Sequence, residues 1–142
     1  MKTIQLLTAV IISTLLFSCK ESKPVYANEN GETWELITMQ RGSLAGAESQ
    51  PLPYQEHYEF LVDMTFKKNR DEKDTSLSGS GTYKTNTTEE GIYYNLSYKN
   101  TAPSLIGSCT GNKTETLLLK PDGKLQNSWA MCDGPFKVYV KQ

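Results

Sequence analysis

The chain has 142 residues, of which 15 are Lys or Arg and 16 are Asp or Glu, so its formal net charge is −1. This balance lacks the excess of positive charge with which proteins bind the nucleic acid backbone, and it argues against a nucleic acid partner. The length suits a single domain with one hydrophobic core.

The amino terminus has the features of a secretory signal peptide. Leu, Ile, Val and Ala dominate residues 4–17, a stretch about as long as a signal-peptide hydrophobic region and short for a membrane span. It ends in the sequence LFSC at residues 16–19, which resembles a bacterial lipobox. We therefore expect a signal peptide over residues 1–18 and a lipid-modified Cys19, held stably in a bilayer by several acyl chains such as palmitate.

Two further features follow the cysteine. Lys20-Glu21 resembles the short charged export tag of surface lipoproteins in the Bacteroidota. This resemblance implies a lipid-anchored protein of the bacterial cell envelope, in the outer membrane, on either its surface or its periplasmic face. Residues 19–32 are polar and predict a flexible tether, so we expect the folded domain over residues 33–142.

The rest of the chain is predicted to form short β-strands joined by turns. Residues 91–99 show this most clearly, because apolar and polar side chains alternate there with a period of two. Pro121-Asp122-Gly123 lies between two such segments and predicts a hairpin turn. The predicted strands cover residues 33–40, 54–61, 65–69, 78–85, 91–99, 114–119, 124–130 and 136–141.

Individual segments carry more detailed predictions. In the last strand we expect the apolar residues at positions 136, 138 and 140 to face inward, and Lys137, Tyr139 and Lys141 to face outward. The charged residues 70–76 are predicted to form an exposed hairpin tip. Gly79 and Gly81 are expected to let their strand bend and to leave space on its inner face.

The order of the strands predicts the architecture. No segment after the signal peptide has a sustained helical period. Consecutive antiparallel strands remove their free edges by closing into a ring, so we predict an all-β fold, a small antiparallel up-and-down β-barrel of about eight strands. A two-sheet β-sandwich is the alternative, with its crossovers in residues 41–53 and 100–112.

Two cysteines remain once Cys19 is assigned to lipid. An even pair in an oxidising compartment predicts a disulfide between Cys109 and Cys132, which would stabilise the fold by about 3 kcal/mol. A zinc site that includes His57 and a reactive thiol pair are the alternatives, but both lack the C-x-x-C spacing. We therefore expect no bound metal.

Short motifs over residues 33–142 carry a family resemblance. They are Trp34-x-Leu36, Tyr58-x-Phe60, Gly81-Thr82-Tyr83, Tyr93-Tyr94, the segment IGSCTG at 106–111 and the segment CDGP at 132–135. Together they resemble the small lipocalin-like lipoproteins of the Bacteroidota. The resemblance implies a small lipocalin-like barrel on the cell envelope.

The chain departs from full lipocalins at three places. Lipocalins begin with Gly-x-Trp, whereas residues 31–34 here are GETW. Lipocalins also place a late Arg against that Trp, whereas Lys141 ends the last predicted strand here. Their Asp-Gly turn after the second strand is replaced by Asp63-Met64, which we expect to strain or lengthen the turn.

Aromatic side chains would either fill such a barrel or line a ligand cavity in it. Asn127 shares a predicted face with Leu125 and is expected to hydrogen-bond a bound molecule. The candidate ligand-binding residues are Trp34, Tyr58, Phe60, Tyr83, Tyr94, Asn127 and Trp129.

The sequence has no pattern typical of catalysis. His57 beside Glu56 is a lone histidine on a predicted strand, and no serine lies in a nucleophile-elbow motif. We expect a protein that is not an enzyme, needs no cofactor and binds a small apolar or amphipathic ligand. The alternative is an envelope interaction module whose filled barrel contacts a protein or glycan through its loops.

Replacing Cys19 by Ala is expected to release the protein from the membrane, because the acyl anchor forms on this sulfur. After fractionation of the host cells, the natural protein should sediment with membranes and Cys19→Ala should stay soluble. Cys132→Ala keeps the anchor and serves as the control. Retention of both variants in the membrane fraction would contradict the assignment.

Overall fold

A computed structural model of the chain describes residues 31–40 and 51–142. The predicted signal peptide, Cys19, residues 19–30 of the tether and residues 41–50 of the first long loop lie outside the described residues. Within the described ranges, no helix is long and apolar enough to cross a membrane.

Eight antiparallel strands of the described chain form a closed barrel in which each strand pairs with its neighbours in sequence and the last returns to the first. This architecture confirms the predicted all-β up-and-down barrel and excludes the sandwich. Two short 3₁₀ helices, Pro103–Leu105 and Trp129–Cys132, lie in the loops between strands. The strands are β1 (Glu32–Gln40), β2 (Gln55–Phe60), β3 (Thr65–Glu72), β4 (Thr75–Thr88), β5 (Gly91–Thr101), β6 (Thr114–Leu119), β7 (Leu125–Asn127) and β8 (Phe136–Lys141).

The alternation predicted for β5 is confirmed, since Tyr94, Leu96 and Tyr98 are all buried. The prediction for β8 is wrong, because Lys137 and Tyr139 are buried inside the barrel at 1 % and 0 % exposure. Apolar side chains were expected to take the inner face, but the interior of this barrel holds carboxylates. The Glu56 carboxylate pairs with Lys137 and accepts a hydrogen bond from Tyr139.

The prediction of an exposed tip over residues 70–76 is also wrong at its first residue. Arg70 is 6 % exposed, and β3 and β4 continue in register as far as the pair Glu72 and Thr75. Only Lys73-Asp74 remain as the turn. The same strand extension shortens the connection and brings the guanidinium of Arg70 inside the barrel wall.

The two glycines of β4 do not leave the open space predicted for them. Gly79 pairs with Lys68 and Gly81 pairs with Phe66, both large inward-facing residues. A Cβ atom on Gly81 would lie 1.9 Å from the carbonyl oxygen of Ser97. The register shift between Ser80 and Gly81 therefore brings β5 so close that only glycine fits.

A disulfide joins Cys109 and Cys132, as the sequence predicted, with their Cα atoms 5.6 Å apart. It ties the loop between β5 and β6 to the 3₁₀ helix that follows β7. Both of these segments lie at the same end of the barrel.

The turn between β2 and β3 has the strain that the sequence predicts. Met64 has a φ of 63°, in the left-handed region that favours glycine. The Met64 N–H donates to the Leu61 carbonyl oxygen at 3.1 Å. Asp63 stabilises the start of β3, because its Oδ1 accepts a hydrogen bond from the Thr65 N–H at 3.0 Å.

Met64→Gly is expected to raise the free energy of unfolding by about 0.5–1 kcal/mol. The steric cost of a left-handed side chain is removed, and part of that gain is offset by the greater freedom of glycine in the unfolded chain. Urea denaturation measures the difference. Val62→Gly, in the same turn but without a positive φ, should destabilise instead, and a loss of stability in both variants would contradict the strain.

Candidate functional site: a charged end and an apolar end

The inward side chains differ in character between the two ends of the barrel. The charged end, where β2 and β8 begin and β3 ends, contains five buried ionisable residues. The apolar end, where β2 ends and β1 and β5 begin, contains mostly aromatic and aliphatic side chains. The charged cluster comprises Glu56, Lys68, Arg70, Glu115 and Lys137.

Glu56 is the centre of the charged cluster. Its Oε1 accepts hydrogen bonds from Lys137 Nζ at 2.8 Å and from Tyr139 Oη at 2.5 Å. Its Oε2 accepts one from Arg70 Nε at 2.6 Å. Lys68 Nζ lies 3.6 Å from Oε1. One carboxylate on β2 is thereby bonded to cations on β3 and β8.

Glu115 is the second carboxylate of the cluster. Lys68 Nζ donates to its Oε2 at 3.1 Å, and Tyr98 Oη donates to the same oxygen at 2.5 Å. The backbone N–H of Gly107 donates to Oε1 at 3.2 Å. Lys68 also donates to the carbonyl oxygen of Leu105 at 2.8 Å, so β6, β3 and the loop after β5 meet here.

The cluster holds three cations and two carboxylates in an interior almost without solvent contact. Burial alone would raise the pKa of Glu56, but the charges on Lys68, Lys137 and Arg70 outweigh it and lower that pKa to about 2. Burial lowers the pKa of Lys68 and of Lys137, and the carboxylates oppose that shift. Such a network is costly to break because each lost partner leaves a buried charge.

Loops cover the charged end. A Cβ atom on Gly134 would lie 2.3 Å from the Trp129 ring, and one on Gly107 would lie 3.2 Å from it, so the indole is packed between two glycine backbones. The Tyr54 ring lies over the Arg70 guanidinium, with 4.3 Å between the ring centre and Cζ. A surface depression of about 410 Å³ remains beside these residues.

The middle of the barrel is filled by side chains. Tyr58, Leu117, Leu125 and Tyr139 are fully buried there, and the rings of Tyr58 and Tyr139 pack edge to face at 5.1 Å between centres. The Tyr58 hydroxyl is buried without a hydrogen-bond partner among the described residues. Its burial raises the pKa of Tyr58 well above the usual value for tyrosine.

A pocket of about 200 Å³ opens at the apolar end. Its aromatic floor is a packed group in which the Phe60 ring centre lies 5.0 Å from that of Tyr83 and 4.8 Å from that of Tyr94. Val62 and Met64 form part of its rim and are exposed. The pocket is lined by Gly31, Glu32, Phe60, Leu61, Val62, Met64, Tyr83, Thr85, Thr87, Ile92 and Tyr94.

One charged group borders this apolar pocket directly. Glu32 is 8 % exposed and accepts hydrogen bonds from Trp34 Nε1 at 3.4 Å and from Lys141 Nζ at 2.7 Å. Lys141 therefore lies beside the Glu32–Trp34 pair at the end of β8. Tyr83 Oη donates to the Leu61 carbonyl oxygen at 3.0 Å and fixes the ring at the pocket wall.

The structure distributes the predicted ligand-binding residues over both ends and the core. Phe60, Tyr83 and Tyr94 line the pocket at the apolar end. Trp34 and Tyr58 are buried in the core at 1 % and 0 % exposure.

The other two predicted ligand-binding residues lie at the charged end. Trp129 borders the depression there. Asn127 Nδ2 donates to the Pro135 carbonyl oxygen at 2.9 Å, and its Oδ1 accepts from the Lys137 N–H at 2.9 Å, so this side chain holds the start of β8 in place.

Sequence reasoning missed the charged cluster, although a signal was present. Glu56 alternates with Tyr58 and Phe60, and Glu115 alternates with Leu117 and Leu119. Lys68 likewise shares its face with Phe66 on β3. The period of two therefore continued through the charged positions, and it would have placed them inside.

The remaining candidates lie outside both ends. His57 lies on the outer face of β2, where its Nε2 is 3.1 Å from Asn69 Nδ2 and 3.7 Å from Glu59 Oε1. In the part of the chain that the structure describes, no group of three or more His, Cys, Asp or Glu side chains is placed to hold a metal ion.

Comparisons of the chain with protein-family models, with curated proteins and with solved structures found no match. A functional assignment therefore depends on the two ends of the barrel and on the sequence features described above.

Glu56→Gln is expected to lower the free energy of unfolding by about 3–5 kcal/mol at neutral pH, because three buried cations then face one carboxylate. Folding lowers the pKa of Glu56 from 4.5 to about 2. The stabilisation by its charge is therefore complete above pH 4.5 and is lost as the pH falls from there to about 2. The natural protein should therefore lose about 3 kcal/mol as the pH drops from about 5 to about 2.

Urea denaturation across this pH range measures both effects. Glu59→Gln, on the outer face of the same strand, should retain the acid-dependent loss, whereas Glu56→Gln should lack most of it. An unchanged acid profile in Glu56→Gln would show that Glu56 is not the stabilising carboxylate.

Proposed function

We propose that the protein is a lipid-anchored lipoprotein of the bacterial cell envelope that binds a small apolar or amphipathic molecule without catalysing a reaction. The ligand would occupy the pocket at the apolar end of the barrel. The observation that carries the proposal is this pocket, because three of the aromatic residues that the sequence marks for binding line it together.

The pocket volume limits the size of the group that enters. Ligand sites for drug-sized molecules usually have volumes of about 300–1,000 Å³, whereas a cavity of about 150 Å³ can hold benzene. A volume of about 200 Å³ thus suits one ring or a short alkyl group. The rest of a larger ligand would remain in solvent, which favours amphipathic molecules.

The position of the pocket fits the proposed anchor. Gly31 lines the pocket just before β1, and it lies near the end of the predicted tether. The twelve Cα–Cα steps from Cys19 to Gly31 would span at most about 43 Å when extended. The pocket would therefore work close to the bilayer surface, where small amphipathic molecules concentrate.

The alternative is an interaction module that contacts a protein or glycan through its loops. Met131 supports it, because this side chain is 88 % exposed beside the disulfide at the charged end. One exposed methionine is common on folded proteins, however. The apolar pocket, rimmed by the exposed Val62 and Met64, is the stronger candidate for recognition.

Thr85→Trp is expected to abolish binding of a small aromatic probe, because Thr85 lines the pocket and the indole would fill it. Toluene should bind the natural protein with a Kd on the order of 1 mM and shift the NMR signals of Tyr83 and Ile92. Lys84→Trp, on the exposed face of the same strand, is the matched control and should bind like the natural protein. Equal affinity in both variants would contradict the proposed pocket.

A further inference from the structure

We infer that the pocket at the apolar end prefers a small organic cation, an ammonium group attached to one aryl ring or a short alkyl body. This inference rests on the proposed function and adds the charge of the ligand to it. It follows from three features of the same pocket: its aromatic surface, the carboxylates beside it and the negative net charge of the surrounding turns.

The aromatic surface suits a cation. The rings of Phe60, Tyr83 and Tyr94 form one group, and the Tyr83 and Tyr94 rings are nearly parallel, with 5.8 Å between centres. The face of an aromatic ring carries negative electrostatic potential and attracts ammonium groups, most strongly where water is partly excluded. The same faces pack against the apolar body of a ligand.

Two carboxylates lie close to these rings. Glu32 lines the pocket, and Asp63 belongs to the turn that supplies the rim residues Val62 and Met64. Burial raises the pKa of Tyr83, and the negative charges of Glu32 and Asp63 raise it further, so both act on the hydroxyl at the pocket wall. The Tyr83 phenol would therefore stay neutral beside a bound cation.

The positive groups nearby do not cancel this potential. Lys141 lies at this end of the barrel, and it is paired with Glu32 at 2.7 Å. Asp63 has hydrogen bonds to Thr65 and no lysine or arginine partner within 4.0 Å in the described chain. One uncompensated negative charge therefore remains at the rim.

The other two turns at this end also have a negative net charge when taken together. The turn between β4 and β5 carries Glu89 and Glu90, while the turn between β6 and β7 carries Asp122 between Lys120 and Lys124. Together with Glu32, Asp63 and Lys141, these turns and strand ends carry five carboxylates and three lysines, whereas Lys84 lies on the exposed face of β4. An anionic ligand would approach against this field, and a cationic one along it.

The inference can be tested with three ligands of nearly equal shape: benzylammonium, neutral benzyl alcohol and anionic benzoate. Titrations of the mature protein at low salt, followed by NMR signals of the pocket residues, yield their affinities. Benzylammonium should bind about threefold more tightly than benzyl alcohol, as expected for a partly exposed cation–π contact, and benzoate most weakly. Raised salt should reduce the difference, since the rim carboxylate is exposed.

A pair of variants locates the effect. Asp63→Asn keeps a hydrogen-bond acceptor for Thr65 and should reduce the preference for benzylammonium over benzyl alcohol to the part that the aromatic rings supply. Asp71→Asn makes the same change at the charged end, where Asp71 accepts a hydrogen bond from Ser76, and should leave the preference unaltered. An equal loss in both variants would mean that the preference does not arise at this pocket.

The outcomes separate the inference from the proposed function. Equal binding of benzylammonium and benzyl alcohol at the pocket would overturn the charge preference and leave the binding role intact. Absence of pocket shifts with all three ligands would overturn both.

Discussion

The carboxylate of Glu56 holds the barrel together from inside. It bonds to Arg70 on β3 and to Lys137 and Tyr139 on β8, so it links strands on both sides of β2 across the interior. Through Lys68 it is coupled to Glu115 and so to β6. Each of these buried charges is tolerable only while the others are present. The network therefore requires one register of the strands, because a shift by one residue would turn every charged side chain outward and leave its partners unpaired.

This arrangement also decides where a ligand can bind. The charged cluster and the tyrosines beside it occupy the charged end and the middle of the barrel, and Trp129 with the disulfide-linked loops covers that end. A barrel of eight strands has room for side chains or for one small ligand, and here side chains take most of that room. The depression at the charged end lies beside Arg70 and Glu72, whereas the opposite end has a shallow pocket with an aromatic floor. We therefore place the proposed binding site there rather than along the barrel axis.

The fold could be predicted from sequence because it depends on local patterns: alternation in β5, the Pro121-Asp122-Gly123 turn and the even cysteine pair. The rule that apolar side chains face inward could not predict the charged cluster. For this reason the predicted inner and outer faces of β8 were exchanged, and Lys137 and Tyr139 are buried instead. Which lysine pairs with which carboxylate depends on contacts between strands far apart in sequence, such as the pairing of Glu56 on β2 with Lys137 on β8. Of the candidate ligand-binding residues, Phe60, Tyr83 and Tyr94 line the pocket, and the sequence could not show that packing separates them from Trp34 and Tyr58 in the core.

The pairing of β1 with β8 has a consequence for how the molecule is made. Glu35 and Val140 are partners, and the Gln142 N–H donates to the Thr33 carbonyl oxygen at 3.0 Å. A ribosome or a translocation channel releases the amino end of a chain first, so β1 must wait without this neighbour until synthesis is nearly complete. Contacts of such long sequence separation form slowly. The finished ring thus arises only after the whole domain has emerged, and a chaperone that shields β1 during that delay would favour its yield.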